Sequence, residues 1–263
     1  MDLFFKLVVL GVIQGLTEFL PVSSKGHLVL GKYLLGVDVT GNRGATVEIA
    51  LHAGTIAAVV LFMWRDLLRL AASLSFSRGA PARSLLIGVI VATIPAGVVG
   101  VLFKDRIETW FELPRITGYG FLFTAAILLL ATRFQNGTRT ADDIHPLVAF
   151  VIGCAQVIAL FPGISRSGTT IVAGLLCGLS PKESARFSFL VSLPVITGAV
   201  LVDLKDLSGV PRDQQFGIAA GIVASFITGL LALRMLTFIA GRGRLPWFAA
   251  WLIPLGIVTL ACF

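Results

Sequence analysis

Charge is scarce in this chain: only 13% of its 263 residues are Asp, Glu, Lys or Arg, and it holds just 3 cysteines, 3 methionines, 3 histidines and 2 tyrosines. Soluble domains carry about twice that share of charge, so a soluble two-domain enzyme and a disordered regulator are both disfavoured. The cysteines, Cys154, Cys177 and Cys262, show no paired spacing and each lies in an apolar run. That speaks against a disulfide framework or a zinc site and for small buried core residues. A cleaved leader is not expected either, because the apolar N-terminus starts with Asp2, lacks a basic stretch and runs straight into Gln14 and Glu18. Hydrophobic residues make up 56% of the chain and the mean hydropathy is +0.94, the balance of an integral membrane protein. Lys and Arg exceed Asp and Glu by 21 to 14. Membrane proteins hold such cations in loops, where they set orientation and meet acidic headgroups, so the excess gives no reason to expect nucleic acid as a partner.

Apolar stretches bounded by charges run over residues 3 to 20, 28 to 37, 46 to 64, 85 to 103, 116 to 132, 147 to 161, 169 to 179, 187 to 202, 216 to 240 and 245 to 263. Crossing a hydrocarbon core of about 30 Å takes roughly 20 helical residues, and six of these stretches come near that length. The other four form two pairs, one broken at Pro21-Val22-Ser23-Ser24-Lys25-Gly26-His27 and the other at Pro162-Gly163-Ile164-Ser165-Arg166-Ser167-Gly168. Their second arms span only about 15 to 17 Å as helix. Each pair therefore reads as a re-entrant hairpin that descends to mid-membrane and returns. Irregular backbone at that depth is tolerated only where it is buried in protein or lines a cavity, so the two breaks predict a cavity.

A shift of 142 residues superimposes Gly11 on Gly153, Gln14 on Gln156, Phe19 on Phe161, Ser23 on Ser165 and Gly26 on Gly168. The match continues from Leu51, Thr55, Ala57 and Val60 to Leu193, Thr197, Ala199 and Val202. The chain thus reads as one membrane domain, residues 1–263, built from repeats over 1–135 and 143–263. Three full spans separate the equivalent hairpins. An odd number turns the second repeat over, giving an all-α inverted-topology fold of six full transmembrane helices and two re-entrant hairpins. Their tips would meet near the midplane, where broken helices form binding sites. On this topology one face collects Arg65, Arg69, Arg78, Arg83, Arg133, Arg139, Lys182, Arg186, Arg242 and Arg244, and the other Lys6, Lys32, Arg43, Lys104, Arg106, Arg115, Lys205 and Arg212. That ten-to-eight balance favours termini outside the cytoplasm.

The chemistry concentrates at the two breaks. Gln14 and Glu18, four apart, lie on one face of the descending helix. A carboxylate in lipid is rare unless it pairs, binds a cation or titrates, which makes Glu18 a functional candidate against a structural ion pair with Lys25 or Arg166. Ser24 and His27, three apart, would let imidazole reach hydroxyl. His27 would then deprotonate Ser24 or itself attack phosphorus, with Glu18 orienting the ring or holding a metal ion. The plain alternative for Ser24 is a helix cap. At the second break Ser165, Arg166, Ser167, Gly168, Thr169 and Thr170 form an anion cradle, because glycine admits close backbone N–H groups and guanidinium forks onto phosphate oxygens. His52 and Glu48 stand in the next span and read equally well as structural residues. Trp64, Trp110 and Trp247 fall at span ends, as interfacial anchors do.

Gln14-Gly-Leu-Thr-Glu18-Phe-Leu-Pro-Val-Ser-Ser24-Lys-Gly-His27 and Pro162-Gly-Ile-Ser165-Arg166-Ser-Gly-Thr-Thr170 resemble the two signature stretches of the BacA-type undecaprenyl-diphosphate phosphatases, and the resemblance spans nearly the whole chain. It implies hydrolysis of undecaprenyl diphosphate to the monophosphate in the bacterial cytoplasmic membrane, recycling the lipid carrier for peptidoglycan, with bacitracin resistance on overexpression. It also implies dependence on a divalent cation, Mg2+ or Ca2+, and the same inverted repeat. By position it assigns catalysis to Glu18, Ser24, His27 and Arg166, metal to Glu18, and substrate binding to Gln14, Ser23, Ser165, Arg166, Ser167, Gly168 and Thr170. The expected partners are a polyprenyl diphosphate and membrane lipids, with room for a homodimer. Two departures stand out: Gln14 replaces the glutamate of some members, and the last segment has Trp251-Leu252 where many place an arginine. A polyprenyl-phosphate or anion transporter would share the skeleton. A carrier has no need of Ser24 and His27 beside Glu18, and the hydrolase is the favoured reading on that ground.

Overall fold

A computed structural model describes residues 2–37, 42–74, 80–111, 113–202 and 212–263. Arg78 and Lys205 lie outside the described residues, as do the side chains of Arg43 and Arg212. The described chain is helical, in the order α1 (Leu3–Phe19), α2 (Ser24–Leu35), α3 (Asn42–Phe62), α4 (Trp64–Ala72), α5 (Ala80–Leu102), α6 (Lys104–Phe111), α7 (Pro114–Leu130), α8 (Pro146–Ile158), α9 (Arg166–Leu176), α10 (Pro181–Val202), α11 (Arg212–Gly241) and α12 (Trp247–Cys262). Two 3-10 turns, Ala131–Phe134 and Ala141–Asp143, join α7 to α8. Apolar side chains such as Leu102, Val101, Phe216 and Phe238 cover the outer helix faces, as lipid contact requires.

Among the described residues four helices are long and apolar enough to cross a membrane, Pro81–Leu102, Pro114–Phe134, Pro181–Leu201 and Gln215–Gly241. A fifth is reached if Val47–Phe62 and Trp64–Ala72, bent by 72° at Met63, count as one. Of the six full spans expected from sequence, 46 to 64 is thus broken near its end, and 245 to 263 is shortened to the 16 residues of α12, about 24 Å of helix. A turn ahead of α12, with Gly243 at φ +66°, uses up the residues that the apolar run alone assigns to the span.

Both expected breaks are present. α1 ends at Phe19 because Pro21 has no N–H to offer and forces Leu20 into extended backbone, ψ 144°. The chain restarts at Ser24, where the Ser23 hydroxyl accepts from the Gly26 N–H at 3.4 Å. α8 starts on Pro146, the ring at the first helical position. After the Pro162-Gly163 turn, α9 is capped by Ser165 accepting from the Gly168 N–H at 3.1 Å. The same serine-to-glycine cap therefore opens the second arm at each break.

Small residues bring helices together. Gly11 and Gly15 of α1 lie directly against the backbone of α11 at Gly221 and Ser225, and Gly153 of α8 lies against the backbone of α5 at Ala92. Such contacts let helices pack closely where lipid supplies no hydrophobic drive. α7 packs on α12, and α10 contacts α3, α5, α9 and α11. Buried Phe19, Phe121 and Phe187 anchor the main core between these elements. At one end Arg186 of α10 reaches Asp66 of α4 at 2.6 Å, Asp142 at 3.0 Å and Glu183 at 3.0 Å, fastening α4 across the bundle. The three cysteines are free, but Cys154 and Cys262 lie on exposed helix faces rather than in the core expected for them, because both fall on the outward faces of α8 and α12.

Gly163 has φ +80°, and a Cβ there would collide with the Thr117 carbonyl of α7. Gly163→Ala should cost at least about 1–2 kcal/mol from the left-handed backbone alone. A clearly lower thermal midpoint in detergent is the expected result, and an unchanged midpoint would contradict this close contact.

Candidate active site

The two breaks touch. The Ser167 hydroxyl donates to the Leu20 carbonyl at 3.1 Å, joining the tips across 147 residues of sequence. α7 steadies the second tip, since the Thr124 hydroxyl donates to the Gly163 carbonyl at 3.2 Å and accepts from the Ser165 N–H at 3.0 Å. Ser23 is held at φ +70°, the one positive-φ non-glycine among the described residues. A serine in that region is strained, and such strain gathers where the surroundings over-determine a functional geometry.

Glu18 is the centre of the site. Only 7% exposed, it accepts from Arg166 Nη2 on Oε1 at 2.8 Å. Its Oε2 accepts from the Ser24 hydroxyl at 2.6 Å and from Gln14 Nε2 at 3.0 Å. The carboxylate that sequence placed on α1 and the guanidinium it placed on α9 are thus direct partners, 148 residues apart. Ser24 and Arg166 are also separated by 142 residues, the repeat shift, and each is the first residue of its helix. One break supplies the hydroxyl on Glu18 and the other the cation.

A cavity of about 140 Å3 opens on these groups, with Glu18, Ser23, Ser24, Ser165 and Arg166 in its wall together with Lys25, His52 and Gln156. Ala96 of α5 and Ile196 of α10 form its apolar side. Of the residues assigned to substrate, Ser23, Ser165 and Arg166 face this space, while Gln14 acts one step back through Glu18. The Ser167 hydroxyl is committed to Leu20, and Gly168 to the Ser165 cap. Thr170 shares a 2.7 Å hydrogen bond with Ser188, so it binds α9 to α10.

His27 does not meet Ser24. Its Nδ1 lies 2.9 Å from the Ser23 carbonyl, and its Nε2 accepts from Trp251 Nε1 at 2.9 Å. The rings of His27 and Trp251 stack with centroids 6.1 Å apart, and Phe121 meets the imidazole edge-on. These partners fix the tautomer with the proton on Nδ1. The expected imidazole–hydroxyl pair fails because the Ser24 hydroxyl turns to Glu18 while the ring turns toward α7 and α12. Trp251, in the segment that lacks the arginine, completes the histidine's surroundings. The imidazole that does line the cavity is His52. Its Nδ1 is 2.7 Å from the Glu48 carbonyl and its Nε2 is 3.7 Å from Glu18 Oε2. Glu48 itself pairs with Lys32. Sequence gave His52 little weight because only α3 packing beside α1 brings it there.

Among the described residues no group of three or more His, Cys, Asp or Glu side chains could hold a metal ion. A hard cation shared with a phosphate ligand would find one protein carboxylate in this cavity, Glu18, because Gln14, whose buried Oε1 has no donor, turns its amide N–H to Glu18 and lies outside the cavity wall. Mg2+ commonly binds through one or two carboxylates with substrate oxygens and water completing the shell.

A helical membrane protein with a cation, a carboxylate and a hydroxyl converging on broken helices belongs to the class that handles anionic groups within the bilayer. The chain belongs to the BacA family: the profile described as "Bacitracin resistance protein BacA" matches residues 7–258. It is 41% identical to the undecaprenyl-diphosphatase of Rubrobacter xylanophilus, over 97% of each chain. It is 38% identical to that of Halothermothrix orenii, over 98% of each. It is also 36% identical to that of Methanosphaera stadtmanae, over 96% of this chain and 95% of the other. This is a multi-pass membrane protein.

Proposed function

We propose that this protein hydrolyses undecaprenyl diphosphate to undecaprenyl phosphate and inorganic phosphate, returning the lipid carrier to cell-wall synthesis. The observation that carries the reading is the convergence of Arg166, Glu18 and Ser24 on one cavity. Arg166 takes the diphosphate oxygens through its planar fork, with the positive end of α9 behind it. The Ser24 oxygen attacks the terminal phosphorus and its proton passes to Glu18 Oε2, already 2.6 Å away. The bond from the terminal phosphorus to the bridging oxygen breaks, and undecaprenyl phosphate leaves with that oxygen, taking the proton from Glu18. Water then attacks the phosphoserine as Glu18, again a carboxylate, takes its proton and passes it to the departing Ser24 oxygen, so that the hydroxyl is restored as phosphate leaves. Gln14 holds the carboxylate in place, and His52 stabilises the proton it receives. His27 is a positioning residue that fixes the Ser23 carbonyl and so the start of α2. Glu18 would hold Mg2+ or Ca2+, which supplies charge neutralisation of the diphosphate when bound.

The full topology belongs to this proposal: six spans and two re-entrant hairpins in inverted repeats over 1–135 and 143–263, in the cytoplasmic membrane with termini outside. Support comes from the paired serine caps, from Gly11 and Gly153 each seated on a partner helix backbone, and from the equivalent placing of Ser24 and Arg166.

The test is phosphate release from undecaprenyl or farnesyl diphosphate by purified protein, with and without divalent cation. Release that depends on the cation, and a fall of about 10²-fold or more for Ser24→Ala, are expected. A wild type that releases nothing, while vesicles carrying it translocate lipid phosphate, would turn the reading to a carrier.

A further inference from the structure

Charge in the wall of the Glu18 cavity does not balance. Of the residues that line it, Arg166 and Lys25 are cations and Glu18 is the one carboxylate. Arg166 already meets Glu18 at 2.8 Å, so with Lys25 the wall carries one net positive charge. Net charge beside apolar spans is costly and marks a site or pathway for an ion of the opposite sign.

The place of Lys25 on its helix points the same way. It is the second residue of α2, as Arg166 is the first of α9, and neither helix has an acidic residue in its first turn. Each helix thus sets a cation at its own positive end, where helix stability alone favours an anion. A polyanion held between the two ends gives this placing a reason that helix propensity does not. Lys25 is exposed and has a flexible four-carbon stem, so its ammonium is able to move onto a ligand.

Before substrate arrives each cation has a carboxylate near it. Arg166 has Glu18, and Lys25 lies within electrostatic reach of Glu48 on α3. Glu48 also pairs with Lys32, so it keeps a partner when Lys25 turns to a phosphate. The exchange therefore leaves no unmatched carboxylate on α3, the costly outcome when an ion pair is broken.

We infer that Lys25 is the second cation of the diphosphate site: Arg166 takes one phosphate of the substrate and Lys25 the other. This rests on the reading of the cavity as a polyprenyl diphosphate site. A terminal phosphate alone carries about 1.5 to 2 negative charges near neutral pH, more than one guanidinium shared with Glu18 offsets. Selection of diphosphate over monophosphate, and so of substrate over product, is then set at Lys25.

Calorimetry without divalent cation compares inorganic diphosphate with inorganic phosphate on wild type, Lys25→Gln and Lys25→Arg. Lys182→Gln, an exposed lysine of α10 outside the cavity wall, is the control. Lys25→Gln is expected to weaken diphosphate about tenfold or more, the scale of one charged hydrogen bond, and phosphate by less than about threefold. Lys25→Arg and Lys182→Gln should hold the diphosphate affinity within about threefold, since both keep the charge at the site. For farnesyl diphosphate the loss in Lys25→Gln should fall mainly on KM, and kcat/KM should depend less on salt, because one charge pair fewer is screened. Equal losses on phosphate and diphosphate, or an unchanged diphosphate affinity, overturn the assignment. Acetylation of wild-type lysines by an amine-reactive reagent, read by peptide mass spectrometry, is free of folding effects. At about ten times its Kd, inorganic diphosphate should slow labelling of Lys25 about tenfold and leave Lys182 unchanged. Labelling of Lys25 at the same rate with and without diphosphate also overturns it. If wild type releases no phosphate from farnesyl diphosphate yet inorganic diphosphate protects Lys25, the hydrolase reading falls while the cation site stands. Release by wild type that Lys25→Gln leaves at full kcat/KM removes Lys25 and keeps the hydrolase.

Discussion

Arg166→Ala should lower kcat/KM for farnesyl diphosphate about 10²–10³-fold, the range seen when one preorganised donor is taken from a developing oxyanion. Two losses combine in it. The diphosphate loses its forked contact, which raises KM, and the charge gathering on the equatorial oxygens in the transition state loses its partner, which lowers kcat. Arg166→Lys should recover only part of the rate, because a point charge cannot reproduce the fork. Steady-state phosphate release, with helix content and elution volume compared to wild type, checks the result. Wild-type rates for Arg166→Ala would remove the anion site from α9.

Glu18→Gln has a different signature. The substitution keeps size and hydrogen bonding but removes the acceptor for the Ser24 proton, so kcat should fall about 10²–10⁴-fold, the usual worth of a positioned base. KM should not rise. In the resting site Glu18 and the incoming diphosphate compete for the same guanidinium, 2.8 Å from Oε1. A neutral amide frees Arg166 for substrate, and with no divalent cation present inorganic diphosphate should bind the variant at least as tightly as wild type. Calorimetry on the purified protein reads this directly, and binding lost together with turnover would show that Glu18 holds the site's shape rather than moving its proton.

Much of this site is legible in the sequence because lipid makes polar residues conspicuous. Glu18 and Arg166 stand out as ionised groups in apolar stretches, and Pro21 and Pro162 mark where the helices must stop. The serine caps follow from the residue order after each break. The partner of each hydroxyl is much less legible, since spacing along a helix says which residues share a face but not what stands opposite. Ser24 and His27 are three apart, yet the hydroxyl meets Glu18 across the turn and the imidazole meets Trp251 from α12. His52 enters only through packing between α3 and α1. Span lengths are less legible for a related reason: hydropathy does not register the 72° bend at Met63 or the turn that shortens α12.

The central claim is that Glu18 and Arg166 act as one unit on the diphosphate, and a double-mutant cycle measures that unity most directly. Phosphate release by Glu18→Gln, Arg166→Ala and the double variant gives the coupling between them. The double variant is expected to be scarcely slower than the worse single one, because each loss already disables the shared site. Losses that multiply independently, the double variant slower by the product of both single effects, would mean that the two residues serve separate ends and that no common site exists.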